Sequence, residues 1–499
     1  MKKYLSIIFA TLALAGSSCK KDYLELSTNP NQPVTTTPNL ALSGALKITA
    51  DITNNVGPGG GSVTSYVNYA CWMGYLSWST SYQPNVALLS YQITSANYNY
   101  WTPLYLNVAN YNALKASTTN PYFQAIADIM IAFDFQAIVD NYNNAPYTDA
   151  LKGTAVLNPK YDKGSAIYDD LLKRVDAAMA SIQAAQKLAV PPATPGTADI
   201  MYKGDMTKWL KFANTLKLRL AIRQSNIASK TVALKAAVAA TQSIGYIDAT
   251  MPGNVNPGYL NSDAFNGQQS PLWRNYGTTQ NGGAQGNKNQ YQANSYGATV
   301  LTSNSDVRGF VVYTTTSGAI SATALGITQP PVVAPSKVGT GLLKSATMDA
   351  VIMSGSEALF LQAEGVKSGY ITSGSAEALY NAGVNASYAE LGLTTEQAAT
   401  YLAANPYPTG EDATDAKQEQ AIITEKWKAL AIYGAFEAFN EFRRTGYPNN
   451  IPLSVYPGAN PPNQVTRVPY PAIEYQTNAA NAGAEGNISV FTSKIFWAK

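Results

Sequence analysis

The side chains in this sequence best suited to chemistry are aromatic rings with polar tips. Across residues 66–105, eleven of forty positions are Tyr or Trp and none is Phe: Tyr66, Tyr69, Trp72, Tyr75, Trp78, Tyr82, Tyr91, Tyr98, Tyr100, Trp101 and Tyr105. Such rings offer an apolar face and a hydrogen-bonding edge. A sugar has the same split character, with a C–H face that lies on a ring and a rim of hydroxyls that pair with amides and guanidinium groups. A second cluster, Trp273-Arg274-Asn275-Tyr276, sets rings, guanidinium and amide side by side. The candidate ligand-binding residues are therefore Trp78, Tyr82, Trp273, Arg274, Asn275 and Tyr276, and their chemistry is stacking and hydrogen bonding. The same residues could instead pack between helices or mediate protein contacts. For Tyr66, Tyr69, Trp72 and Tyr75, which step by three along a helix, packing is the preferred reading. Trp78 and Tyr82 flank Ser79-Thr80-Ser81 and precede Pro84, which predicts a turn.

Catalysis finds less support. The 499 residues contain no His, which removes the commonest general base, the commonest metal ligand and every Ser-His or Cys-His nucleophile pair. The two cysteines, Cys19 and Cys71, cannot form a disulfide framework once Cys19 is assigned to the export signal. No catalytic residue, metal site or cofactor is called, although a structural calcium held by oxygen ligands is compatible with the composition. Glu357 and Glu364 lie seven apart on one helix face, and Glu437 and Glu441 lie four apart. They read as helix-packing or ion-pair partners of Arg443 and Arg444, since a glycosidase needs two carboxylates facing each other across a cleft. The 34 basic and 31 acidic residues leave +3, too balanced for a nucleic-acid binder.

Helices must position these groups. Apolar residues at three- and four-residue steps predict helices over 122–142 and 207–224, the latter with Lys208, Lys211, Lys217 and Arg219 on its polar surface. Others are predicted at 164–188, 229–243, 347–368, 374–391, 395–404 and 414–444. Ser375 is a candidate cap, and Gly369 and Gly392 stand where a left-handed residue ends a helix. The pair 347–368 and 374–391 has the form of a tetratricopeptide-like hairpin, without a clean 34-residue period. Residues 245–345 differ: over 266–297, 22 of 32 positions are Gly, Asn, Gln, Ser or Thr, a composition for functional loops rather than a core.

Residues 1–18 carry a basic start, an apolar run of about twelve residues and small residues, an export signal too short to span a bilayer. Gly16-Ser17-Ser18-Cys19 resembles a lipobox, with Gly16 where a Leu is usual, so Cys19 is the expected lipidation site. Residues 19–38, rich in Pro and Thr, read as a lipid-anchored tether. Residues 39–499 then form one domain with the loop-rich insertion at about 245–345.

Several motifs occur in order. They are Cys19-Lys20-Lys21-Asp22, Ala145-Pro146-Tyr147-Thr148-Asp149-Ala150-Leu151, and Lys208-Trp209-Leu210-Lys211-Phe212-Ala213-Asn214-Thr215-Leu216-Lys217-Leu218-Arg219. An E-x-x-F-L-x-A-E helix follows from Glu357 to Glu364, then Glu425-Lys426-Trp427, Glu437, Arg443-Arg444-Thr445-Gly446-Tyr447-Pro448, Arg467-Val468-Pro469-Tyr470-Pro471, Glu474 and Asn478. In this series the chain resembles the SusD/RagB family of nutrient-binding outer-membrane lipoproteins of Bacteroidetes, in particular its second large branch. It departs from the family at Tyr142-Asn143-Asn144-Ala145-Pro146-Tyr147, where members often read F-G-D-V-P-Y. The resemblance implies a mostly α fold in which tetratricopeptide-like helical hairpins form a right-handed scaffold and irregular loops form the ligand face. It also implies a non-enzymatic, lipid-anchored protein at the cell surface. Such a protein captures oligosaccharides as a lid over a SusC-like TonB-dependent transporter. The alternatives are the same lid role for oligopeptides, or a lipid-anchored glycoside hydrolase.

Overall fold

A computed structural model describes residues 36–54, 66–264 and 268–499. The expected signal at 1–18, the lipidation site Cys19 and the tether as far as residue 35 lie outside the described residues. Eleven helices of nine residues or more run through the rest: α1 (Pro38–Thr53), α2 (Trp101–Ala116), α3 (Pro121–Tyr142), α4 (Gly164–Gln186), α5 (Met206–Arg223), α6 (Thr231–Ala239), α7 (Gly355–Lys367), α8 (Ala376–Glu390), α9 (Thr395–Ala404), α10 (Asp415–Ala429) and α11 (Ala435–Thr445). Chain neighbours pack on each other from α1 to α5. Helix α5 passes the contact on to α7, which packs on α8 and α10, while α8 packs on α9. This is a run of stacked helical hairpins, as the sequence predicts.

Local chemistry sets the ends. Asn120 caps α3 by accepting from the Tyr122 amide at 2.9 Å, with Pro121 at the first helical position. Ser375 caps α8 through the Ala378 amide at 3.2 Å, and Gly369 and Gly392 adopt φ of +71° and +79° at the ends of their helices. Helix α3 is long and apolar enough to cross a membrane, but the fold buries it almost all round, against α2, α4 and α5. The ring of Phe360 lies where a Cβ on Gly383 would be, 2.7 Å away, so α7 and α8 approach closely because residue 383 has no side chain.

Three expectations need correction. The helix predicted at 347–368 starts only at Gly355. Residues Ala350–Met353 form strand β4, paired antiparallel with β2 (Gly253–Val255), and the Ser354 hydroxyl caps the helix by accepting from the Glu357 amide at 3.0 Å. The helix predicted at 414–444 is two, α10 and α11, broken at 430–434 where Ile432 takes φ of +67°. Lys217 and Arg219 are buried rather than surface residues, paired with Asp176 at 2.6 Å and Glu357 at 3.1 Å. The region 245–345 is irregular as expected, holding only short helices and strands.

Charge is buried between the helices in two balanced groups. Arg219 and Arg223 of α5, Lys426 of α10, and Arg443 and Arg444 of α11 meet Asp140 of α3, Glu357 and Glu364 of α7, and Glu437 and Glu441 of α11. The second group sets Arg308 and Lys428 against Asp306 and Glu425. Arg308 lies 2.8 Å from both acids and Lys428 3.1 Å from both. Burial pushes the Glu425 carboxyl up, yet Arg308 and Lys428 overcome this and hold it down at about 2. Its folded value thus lies below the ordinary carboxylate value near 4.3. The stabilisation it contributes is complete above that value and is lost as pH falls from there toward 2. Arg308→Met leaves Asp306 and Glu425 to share Lys428, one buried carboxylate in excess, and is expected to cost about 3–5 kcal/mol at pH 7. Denaturant unfolding measures this, and the gap between the variant and the unaltered protein should narrow on acidification through pH 4 to 2.

Candidate functional site

The Trp78 turn begins on a fixed base. Tyr75 stacks on Trp427 of α10 with ring centroids 4.3 Å apart, its hydroxyl donates to the Trp427 carbonyl at 2.7 Å, and the Trp427 indole donates to the Met73 carbonyl at 3.2 Å. From this base strand β1 (Leu76–Trp78) pairs antiparallel with β3 (Tyr291–Ala293), placing Trp78 opposite Tyr291, and the Ser79 amide extends the pairing to the Gln290 carbonyl at 2.8 Å. The Trp78 indole donates to the Gln83 carbonyl at 3.1 Å, which closes the predicted turn. Its ring meets Tyr291 edge-on at 5.2 Å and Tyr82 at 6.5 Å. Tyr82 is 37% exposed, so this corner presents a half-buried indole and an open phenol.

The second cluster lies on a one-and-a-half-turn helix, Pro271–Tyr276. Trp273 is half-buried. Its indole donates to the Thr278 carbonyl at 3.0 Å and rests on the backbone of Gly277, where a Cβ would come within 2.6 Å of the ring. Arg274 places Nη2 3.4 Å from Asp51 of α1, which ties the helix to the scaffold. Asn275 accepts through Oδ1 from the Asn287 side-chain amide, so these two loop segments hold each other. Tyr276 does not present its ring. It is 1% exposed and packs edge-on against Tyr291 at 6.4 Å, because the short helix turns this position inward. Its place in the cluster is that of a support.

Tyr291 therefore joins the two clusters, touching Trp78 on one side and Tyr276 on the other. No local pattern marks Tyr291, since the β1–β3 pairing that makes it central links segments more than 200 residues apart. The rings at 66, 69, 72 and 75 are buried, as their spacing suggested. The four acids lie inside the ionic groups described above. Glu364 and Glu441 meet Arg444 as expected, whereas Glu357 pairs with Arg219 and Glu437 with Arg223. Among the described residues no three His, Cys, Asp or Glu side chains cluster as a metal site. Beside the Trp78 turn lies a cavity of about 360 Å³ lined by Asn68, Asn85, Asn97, Asn99, Tyr98 and Tyr291, together with small and aliphatic residues. Its amides come from separate turns and left no pattern in the sequence.

Stacked helical pairs with a ring-bearing loop face define a helical-repeat protein built to present a ligand surface. The chain belongs to the SusD-like family, whose sequence model, described as "Starch-binding associating with outer membrane", matches residues 30–471. Solved structures share the fold. A SusD homolog from Bacteroides uniformis superposes with a TM-score of 0.71 at 22% identity, over 92% of this chain and 99% of that one. A chitin-binding SusD homolog from Flavobacterium johnsoniae gives 0.73 at 21% identity, over 91% and 98%. A SusD-like protein from Bacteroides thetaiotaomicron gives 0.70 at 21% identity, over 91% and 98%. No curated protein matches the chain.

Of the seven tryptophans, Trp72, Trp101, Trp209, Trp427 and Trp497 are buried, while Trp78 and Trp273 are half-buried. Acrylamide should quench chiefly these two. The double variant Trp78→Phe, Trp273→Phe is expected to lose most of the quenchable emission and to shift the remainder to the blue; unchanged quenching would place the open indoles elsewhere.

Proposed function

We propose that this chain is a cell-surface capture protein for oligosaccharides, held to the outer membrane by lipid on Cys19. As a lid it delivers its cargo to a SusC-like TonB-dependent transporter and performs no chemistry on it. One observation carries this reading: Trp78 and Tyr291 sit on a strand pair pinned to the helical core, with Tyr82 on the turn beside them and amides nearby. Rings alone would suit many partners. Rings with polar tips and neighbouring amides match the two faces of a pyranose. The family's starch-binding, outer-membrane description and the chitin-binding homolog support the choice of sugar over peptide. A non-catalytic role accords with the pairing of Glu357, Glu364, Glu437 and Glu441 with buried arginines.

A surface that must pass its cargo on should bind weakly, with micromolar to millimolar dissociation constants, or about 4–8 kcal/mol. Calorimetry against a panel of oligosaccharides tests the reading. Trp78→Ala and Tyr82→Ala are each expected to lose about 1–2 kcal/mol of binding with helical content unchanged, and Tyr276→Phe is expected to bind as the unaltered protein does. Equal affinity in the Trp78 and Tyr82 variants, or turnover of any glycan, contradicts the proposal. For the anchor, Cys19→Ala should move the protein from the membrane fraction to the soluble fraction of its host, since acyl chains contribute about 0.8 kcal/mol per buried methylene.

A further inference from the structure

We infer that the cavity beside the Trp78 turn is a second sugar subsite, contiguous with the ring face and selective for an uncharged residue of the cargo. The inference rests on the oligosaccharide reading above and adds to it. The cavity, at about 360 Å³, falls within the range of small-molecule sites. Tyr291 is common to both places: it lines the cavity and touches Trp78. A linear chain stacked on Trp78 and Tyr82 thus has its next residue directed along Tyr291 toward the amides.

The lining selects by charge. Its polar residues are four asparagines and two tyrosines, and no Asp, Glu, Lys or Arg is among the lining residues. The phenols of Tyr98 and Tyr291 are shifted up chiefly by burial, and no Asp, Glu, Lys or Arg is among the causes. A uronate entering here would shed water without meeting a cation, which is costly, whereas hydroxyl or acetamido groups meet amides.

Asn68 supplies the specific donor. It is 3% exposed, its Oδ1 accepts from the Tyr100 hydroxyl, and its Nδ2 has no hydrogen-bond partner within the protein. With Oδ1 engaged by Tyr100, the NH₂ end is left for a sugar oxygen. A buried donor without a partner is unfavourable, so a ligand that supplies the acceptor gains affinity. Asn85, Asn97 and Asn99 hold turns through their own hydrogen bonds and so give the walls a fixed shape.

The test uses the full protein with neutral oligosaccharides of increasing length and a uronate oligosaccharide of matched length, read by calorimetry. Neutral ligands should tighten with length until the cavity is filled, and the uronate should bind at least about tenfold more weakly than its neutral counterpart. Ala96 is exposed on the rim, so Ala96→Trp fills the cavity without entering the core. This variant should erase the gain with length and keep the binding that Trp78→Ala removes. If Ala96→Trp binds every length as the unaltered protein does, the subsite is wrong while the ring face stands. Equal affinity for the uronate overturns the charge selection. Failure of any sugar to bind the unaltered chain overturns both the subsite and the function it rests on.

Discussion

The architecture depends on charge buried in balance. Five cations and five carboxylates from α3, α5, α7, α10 and α11 meet inside the stack, and Arg223, Arg308 and Arg444 lie among its most deeply enclosed side chains. Desolvating such groups costs several kcal/mol each, and only mutual contact in good geometry offsets it. The consequence is positional. An apolar helix face tolerates a shift of register, but a helix whose arginine must reach a glutamate on another hairpin does not. Burial pushes the Arg443 guanidinium down to about 10, still charged at neutral pH, and it spends its donors on Asn440 and on the carbonyls of Asp140 and Thr466. The C-terminal segment is thereby bound to the N-terminal hairpins.

The same device holds the loop face. Asp306 and Arg308 belong to the irregular insertion, yet they sit wholly inside the protein against Glu425 and Lys428 of α10. Arg274 reaches Asp51 of α1, β2 pairs with β4 at the start of α7, and β1 pairs with β3 above Trp427. Four attachments thus convert a polar stretch that cannot build a core into a surface of defined shape. A loop surface held in this way loses little conformational freedom when a partner binds to it.

The helical scaffold could be read from the sequence because it follows apolar periodicity and capping, and Ser375, Gly369 and Gly392 behave as their types require. The failures share a cause. Strand β4 is short and merges with the periodic pattern of α7, and α2 shows no clean apolar period because its buried face mixes Asn107 with Trp101, Leu104, Val108 and Tyr111. Lys217 and Arg219 were placed outside because charge usually is, and only the partners Asp176 and Glu357 on other helices make burial possible. The site was legible in part for the same reason. Trp78 and Tyr82 lie on a turn that local residues define, whereas Tyr276 is turned inward and Tyr291 gains its role from a pairing no local rule predicts. The motifs by which the chain resembles its family, from Arg219 through Glu357, Glu364, Glu425 and Lys426 to Arg443 and Arg444, are those of the buried ionic groups. Resemblance therefore speaks for the scaffold and leaves the ligand to the loops.

Tyrosine excess, the feature that first suggested a sugar surface, has two physical origins. Most of the described rings are inside, and the hydroxyls of some of them meet carbonyls of the irregular chain. Tyr105 donates to the Pro146 carbonyl at 2.6 Å, Tyr313 to the Tyr75 carbonyl at 2.8 Å and Tyr470 to the Asn144 carbonyl at 2.9 Å, each a backbone group outside a long helix. Phenylalanine at 105 or 470 would fill the same space and leave the Pro146 or Asn144 carbonyl without that bond, at a cost of about 1–3 kcal/mol for each. A fold that ties loops onto helices thus needs polar-tipped rings in its core for the same reason a sugar-binding face needs them outside. Composition cannot separate the two uses. What separates them is whether the local backbone lets the ring leave the core, as the turn at 78–83 does for Tyr82 and the inward-facing end of the helix at Tyr276 does not.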